Sequence, residues 1–129
     1  MKYIFLFLFF QTSALVYSQV SFSCTYREYC YWNNYTKKFE NCEGYEEASL
    51  FVMNEAETVF THTTETIKSS YFVKSSEYDK ENDVYTYFVT SDVGNDYYYI
   101  FDIKNKEVRI LITKEDTIEL LRFYVKAIF

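Results

Sequence analysis

From residue 20 onward the chain is a succession of short runs rich in Tyr, Phe, Val, Ile and Thr, with apolar and polar positions alternating and polar turns between them. Alternation with period two is the mark of a half-buried strand, and these residue types suit a pleated surface. The pattern predicts strands near 20–32, 38–46, 48–53, 58–64, 71–78, 84–90, 97–103 and 107–112. The connections NEAE, DKEND, SDVGND and NK are hairpin-sized. Connections that short join antiparallel neighbours, because a parallel crossover needs a dozen residues or more. The expected fold is mainly β: an antiparallel meander of about seven to eight strands, drawn as a curled sheet or a small barrel.

The stretch GNDYYYIFDI at 94–103 supplies a test of register. A two-residue turn at Asn105-Lys106 would set Lys104 opposite Glu107, Ile103 opposite Val108, Phe101 opposite Ile110 and Tyr99 opposite Ile112. One face is then apolar, and the other pairs Asp102 with Arg109 near the turn and Ile100 with Leu111 farther away. Tyr97 and Tyr99 fall on the apolar face. Tyr98 falls on the other, which makes it the tyrosine of the triplet most suited to meeting a partner.

The chain ends TKEDTIELLRFYVKAIF. Ile118, Leu121, Val125 and Ile128 recur at helical spacing, and Leu120 and Tyr124 widen the stripe. Thr113 can cap a first turn, with Glu115 and Asp116 at its positive end and Arg122 and Lys126 toward its negative end. One C-terminal amphipathic α-helix is therefore expected.

The first eighteen residues, MKYIFLFLFFQTSALVYS, have a basic start at Lys2, an apolar run from Tyr3 to Phe10, and small residues before a plausible cut. This is the layout of a cleaved secretory signal, with Val16 and Ser18 at the recognition positions and cleavage before Gln19. The apolar run is far short of the roughly 20 residues a spanning helix needs. No integral membrane segment is expected after cleavage. Cys24 lies beyond that run, too far along for a lipoprotein cysteine. The division is thus a signal peptide over 1–18 and a single β-rich domain over 19–129, exported to the periplasm or the outside.

The net charge is −6, and the signal carries one lysine and no acid, so the remainder is one unit more negative. Phosphate backbones and anionic membranes call for clusters of Lys and Arg, and no such cluster occurs. Nucleic acid is not an expected partner. The chain has no proline and two glycines, with 15 Tyr and 13 Phe, so aromatic side chains must fill the core and remain available for a surface or pocket.

Export places Cys24, Cys30 and Cys42 in an oxidising compartment. The segment CYWNNYTKKFENC reads as two strands around a turn, which brings Cys30 and Cys42 together and leaves Cys24 free, with Cys24 to Cys42 the next pairing. A bridge over a loop of that size contributes about 3 kcal/mol. A zinc site from the three cysteines and His62 lacks the short spacing that marks such sites.

Other candidate chemistry is thin. His62 lies in a threonine-rich run, where a half-exposed strand histidine is the simplest reading, and no motif supports a Cys24–His62 nucleophile. The acidic groups Asp79, Glu81, Asp83 and Asp92, Asp96 do not follow calcium-loop spacing and read as solvated turns. The sequon Asn34-Tyr35-Thr36 matters only in a glycosylating pathway. No phosphate loop or dinucleotide fingerprint is present, so no cofactor is expected.

The order of strands followed by a helix resembles a lipocalin, but the Gly-x-Trp near the first strand is missing, since Trp32 follows Cys30 and Tyr31. The blocks SLFVMNEAETVFTHTT, SSYFVKSSEYD and VTSDVGNDYYYIFDIKNKEVRIL resemble those of small exported proteins of Bacteroidetes-type bacteria without an assigned function. That resemblance implies export and a β-rich fold, and no activity.

The leading expectation is a non-enzymatic exported domain that binds a protein or serves in the envelope, with Tyr98 and Trp32 as its candidate contact surface. The alternative is a barrel enclosing a small apolar ligand, for which a cavity of about 300 Å3 or more is the requirement. A secreted hydrolase using paired carboxylates comes third.

Overall fold

The computed structural model describes residues 19–129. The expected signal peptide over 1–18 lies outside the described residues. Eight strands follow in chain order: β1 (Val20–Asn33), β2 (Lys38–Met53), β3 (Val59–Thr63), β4 (Lys68–Asp79), β5 (Val84–Ser91), β6 (Asp96–Asp102), β7 (Glu107–Lys114) and β8 (Thr117–Ile128). Each pairs antiparallel with its neighbour in sequence, and β8 returns to β1, so the meander closes into a barrel. Closure gives the outermost strands partners on both sides and removes the bare edges an open sheet would expose.

The last segment corrects the helix expectation. Thr117–Ile128 is a strand that pairs with β7 from Glu107 to Lys114 and with β1 from Phe22 to Tyr31. The residues 118, 121, 125 and 128 satisfy a helical stripe, but Leu121, Phe123 and Val125 equally satisfy alternation toward a core. The barrel decides between them. A helix would leave two rows of backbone donors and acceptors bare on β1 and β7, whereas β8 bonds to both. Glu115 and Asp116, expected in a first helical turn, instead form the two-residue connection between Lys114 and its partner Thr117.

Two further readings change. The expected strands 38–46 and 48–53 are one strand, β2, of which only Leu50–Met53 pairs with the short β3. In the β6–β7 hairpin, Asp102 faces Glu107, Phe101 faces Val108 and Tyr99 faces Ile110, two residues away from the expected register. The turn is longer than expected: Ile103 through Lys106 form it, with Lys106 at φ 55° and the Asn105 amide donating to Asp102 Oδ1 at 3.1 Å. A shift of two preserves the facing of every side chain, so the apolar face survives it.

That face joins those of the other strands in the barrel interior. Phe51, Phe60, Tyr99, Phe101 and Phe123 are each under 2% exposed or nearly so, and they meet largely edge to face: Phe60 and Tyr99 at 4.8 Å, Phe51 and Phe123 at 5.2 Å, Phe51 and Phe101 at 5.9 Å. This is the favoured arrangement for ring quadrupoles. An eight-stranded barrel is only wide enough for side chains to fill, and rings from β2, β3, β6 and β8 fill its middle.

The outer face carries charge instead. Arg109 and Arg122 face each other across β7 and β8, a repulsive pair, and carboxylates bridge them. Arg122 pairs with Glu28 and, at 3.0 Å, with Glu107, while Arg109 pairs with Glu107 at 3.3 Å and Asp102 at 3.1 Å. An apolar interior with this charged ladder outside is the reverse of a lipid-facing barrel. Among the described residues, no helix is long and apolar enough to cross a membrane.

The split of the tyrosine triplet is now a matter of burial: Tyr99 is 1% exposed and Tyr98 is 45% exposed beside Phe88. Truncating Tyr99 to Ala should lower the unfolding free energy by roughly 3 to 5 kcal/mol in a denaturant titration. Tyr98→Ala should cost about 1 kcal/mol or less, the loss of one cross-strand contact. Equal losses would contradict this packing.

Candidate functional site

One end of the barrel is not filled. The β2–β3 turn, the β4–β5 turn, the start of the β6–β7 turn and the ends of β1 and β8 surround a half-open cup of about 520 Å3. Phe22, Met53, Phe101, Ile103 and Ile128 line it; the first three belong to the buried core beneath, and the open apolar surface comes from Ile103 and the strand end at Ile128. Tyr85 and Tyr87 line one wall, their planes within 4° of parallel and their centroids 6.3 Å apart. They share that wall because residues two apart on β5 point the same way.

Three carboxylates, Glu55, Glu57 and Asp83, reach the cup from the turns. Glu57 and Asp83 both occupy left-handed backbone positions, at φ 55° and 54°. Asp tolerates that region, but Glu is uncommon there. Tyr87 donates its hydroxyl to Glu57 Oε1 at 2.7 Å, tying that turn to the wall of the barrel. Tyr78 donates to Asp83 Oδ1 at 2.9 Å. Burial, then the bond to Glu57, pushes the Tyr87 phenol far above its ordinary range. The Asp83 bond chiefly holds Tyr78 up to about 12. Both phenols therefore stay neutral donors at any ordinary pH.

Deeper in the barrel lies a second polar group. The register shift in β1 between Cys24 and Tyr26 turns Arg27 into line with Tyr45 and Phe123. Its guanidinium lies 5.6 Å from the Phe123 ring and bonds Glu47 at 3.2 Å. His62 stacks on Phe51 at 4.2 Å and meets Phe123 edge-on at 5.1 Å. Burial, with Arg27 adding repulsion, drives His62 down to about 4. Ser49 Oγ, Arg27 Nε and His62 Nε2 have no hydrogen-bond partner within the protein.

The residues singled out in the sequence are dispersed. Cys30 and Cys42 stand at disulfide distance with Cα atoms 4.2 Å apart, the favoured pairing, and Cys24 is free and buried. Burial pushes the Cys24 thiol up to about 12. Cys24 and His62 lie on β1 and β3 with β2 between them, and the shifts hold both neutral, the opposite of an activated thiolate and imidazolium. The Glu28, Cys30 and Cys42 donor atoms converge, but the two sulfurs are engaged with each other.

Trp32 packs edge-on against Phe39 at 5.0 Å and donates to Asn34 of the sequon in the β1–β2 turn. Tyr98 lies on a different strand, exposed on the outer face of β6 beside Phe88. The acidic turns have local duties. Asp79 accepts from the Glu81 and Asn82 amides, and Asp96 accepts from Thr90 and Lys74. These bonds hold the Asp79 and Asp96 carboxyls below their usual range. At Asp102, burial works to raise the pKa, but the bonds from Asn105 and Arg109 outweigh it and the net shift is down.

The cup itself was missed in the sequence. Its residues come from five strands and three turns, and no local spacing joins Phe22 to Met53, Glu57, Asp83 or Phe101.

Three measurements check these groups. Because the folded state holds His62 at about 4 against 6.5 when unfolded, the unfolded chain binds the extra proton between those values. Stability should be full above pH 6.5 and fall by about 3 kcal/mol as pH drops to 4. His62→Gln should flatten that limb in denaturant titrations at pH 7 and 4.5. A thiol reagent should find no reactive group in the folded protein and one in denaturant. Reduction of Cys30–Cys42 should cost about 3 kcal/mol of stability. No family model matches the chain, and no curated protein or solved structure matches it either.

Proposed function

We propose that this protein is an exported, non-enzymatic binding barrel that seats a small, largely apolar molecule in the cup at its mouth. The cup carries this reading: about 520 Å3 of half-open space whose open apolar surface comes from Val20, Tyr85, Ile103 and Ile128 and whose nearly equal polar share comes from the turn residues Asn54, Glu55, Glu57 and Asp83 with Gln19. Ligand sites are concave, mostly apolar and equipped with a few placed polar groups, within a range of roughly 300 to 1,000 Å3. The filled middle of the barrel argues for a shallow seat over an enclosed calyx. Phe22 and Phe101, whose rings lie 4.9 Å apart, close the floor, so a molecule entering the cup would rest against Val20, Ile103 and Ile128 and leave one end toward solvent.

Several observations support binding over catalysis. Cys24 is pushed up and His62 down, so neither is poised as nucleophile or base at neutral pH. A carboxylate pair working on a glycosidic bond needs one member held protonated by a raised pKa. The shifts at Asp79, Asp96 and Asp102 are all downward. Export is supported by the leader-like first eighteen residues and by the Cys30–Cys42 pair, which persists in an oxidising compartment.

The neutral fluorescent probe N-phenyl-1-naphthylamine should brighten saturably on addition of the protein. Ile103→Trp, which fills the rim with an indole, should weaken that binding by about tenfold or more while the melting curve stays cooperative. Tyr98→Ala, on the outer face, should leave it unchanged. Binding that survives Ile103→Trp and is lost in Tyr98→Ala would move the site to the outside of the sheet.

A further inference from the structure

The composition of the cup's rim selects a ligand by charge. Glu55, Glu57 and Asp83 are the charged residues of the lining, and it contains no Lys or Arg. Elsewhere in the barrel Glu47 has Arg27, Asp102 has Arg109, Glu28 and Glu107 have Arg122, and Glu119 has Lys114, while the partly buried Glu40 accepts only from Asn33 and Thr36. Among the described residues, Glu57 and Asp83 have no basic partner. Each accepts a hydrogen bond from a neutral tyrosine hydroxyl, which orients the carboxylate without neutralising it.

The rings on the wall act in the same direction. Of the rings that line the cavity, Tyr87, Phe22 and Phe101 are buried and Tyr85 is partly exposed, and an aromatic face attracts a cation within about 6 Å of its centre. Because Tyr87 spends its proton on Glu57, its hydroxyl is unavailable to donate to an anionic ligand. An anion would meet three carboxylates and the negative faces of the rings, with no donor of opposite charge in the lining. A neutral molecule would gain apolar contact and nothing from the charge.

We infer that the cup takes an organic cation: a small amine or quaternary ammonium whose apolar body rests on Val20, Ile103 and Ile128 and whose charged head lies between Tyr85 and the Glu57 and Asp83 carboxylates. This inference rests on the cup being a ligand seat.

The test is competition against N-phenyl-1-naphthylamine by three six-carbon chains that differ in the head: hexyltrimethylammonium, hexan-1-ol and hexyl sulfate, all at low salt. The ammonium should displace the probe at a concentration roughly tenfold or more below the alcohol, and the sulfate should be the weakest. The double variant Glu57→Gln/Asp83→Asn should bring the ammonium to the level of the alcohol and leave the alcohol unchanged. Raising the salt should narrow the gap in the wild type, because exposed parts of the interaction are screened.

If all three compete alike, or if the double variant retains the preference, the charge inference is overturned and the cup remains a seat for apolar molecules. If the probe does not bind and direct calorimetric titration of hexyltrimethylammonium gives no heat, the cup itself is not a site. Should the double variant lose cooperative melting, Glu55→Gln with Asp83→Asn repeats the comparison with the Tyr87–Glu57 bond intact.

Discussion

The structure depends on one set of backbone hydrogen bonds, those by which β8 pairs on one side with β7 and on the other with β1. Without them the meander would be an open sheet with two bare edges and one apolar face toward water. With them, seven hairpin-connected neighbours and one return pairing enclose the apolar face, and the rings of four strands meet in the middle. The aromatic content that looks excessive in a chain of this length has its use here. Rings from opposite walls are large enough to meet across an eight-stranded barrel, and they do so largely edge to face.

The same packing explains where space is left. The ring cluster of Phe51, Phe60, Tyr99, Phe101 and Phe123 closes the centre of the barrel. Beyond Phe101 the strands continue for only a residue or two, and of the turns that cap this end two bear a carboxylate at the left-handed position, Glu57 and Asp83, and the third bears Lys106. At the other end the long β1–β2 hairpin extends past the short β3, stapled by Cys30 and Cys42. The two ends of the barrel are thus chemically different although every strand follows the same alternation.

How much could be read from the chain differs by range of interaction. The facing of Tyr97, Tyr98 and Tyr99 was legible because alternation is a property of one strand, and it survived a two-residue error in register. The register was not legible, because it was set by a four-residue turn in which Lys106 adopts φ 55° and Asp102 caps the chain. The Cys30–Cys42 pairing was legible because twelve residues and one turn separate the two. The terminal helix was misread because Ile118, Leu121, Val125 and Ile128 fit a helix as well as a strand, and the deciding bonds come from β1, some ninety residues away.

From its own order of residues this chain specified strand-forming segments, their inward and outward faces, an aromatic interior and a stapled hairpin, since each of these follows from contacts within a strand or across one turn. Barrel closure, the fate of the last segment, the seclusion of His62 and the gathering of Phe22, Met53, Glu57, Asp83, Tyr87 and Phe101 around one cup were decided only in three dimensions. Those features depend on which strand edges remain unpaired after every local pairing has formed, and on how far the rings reach across the interior. Neither quantity is written in any local stretch of sequence.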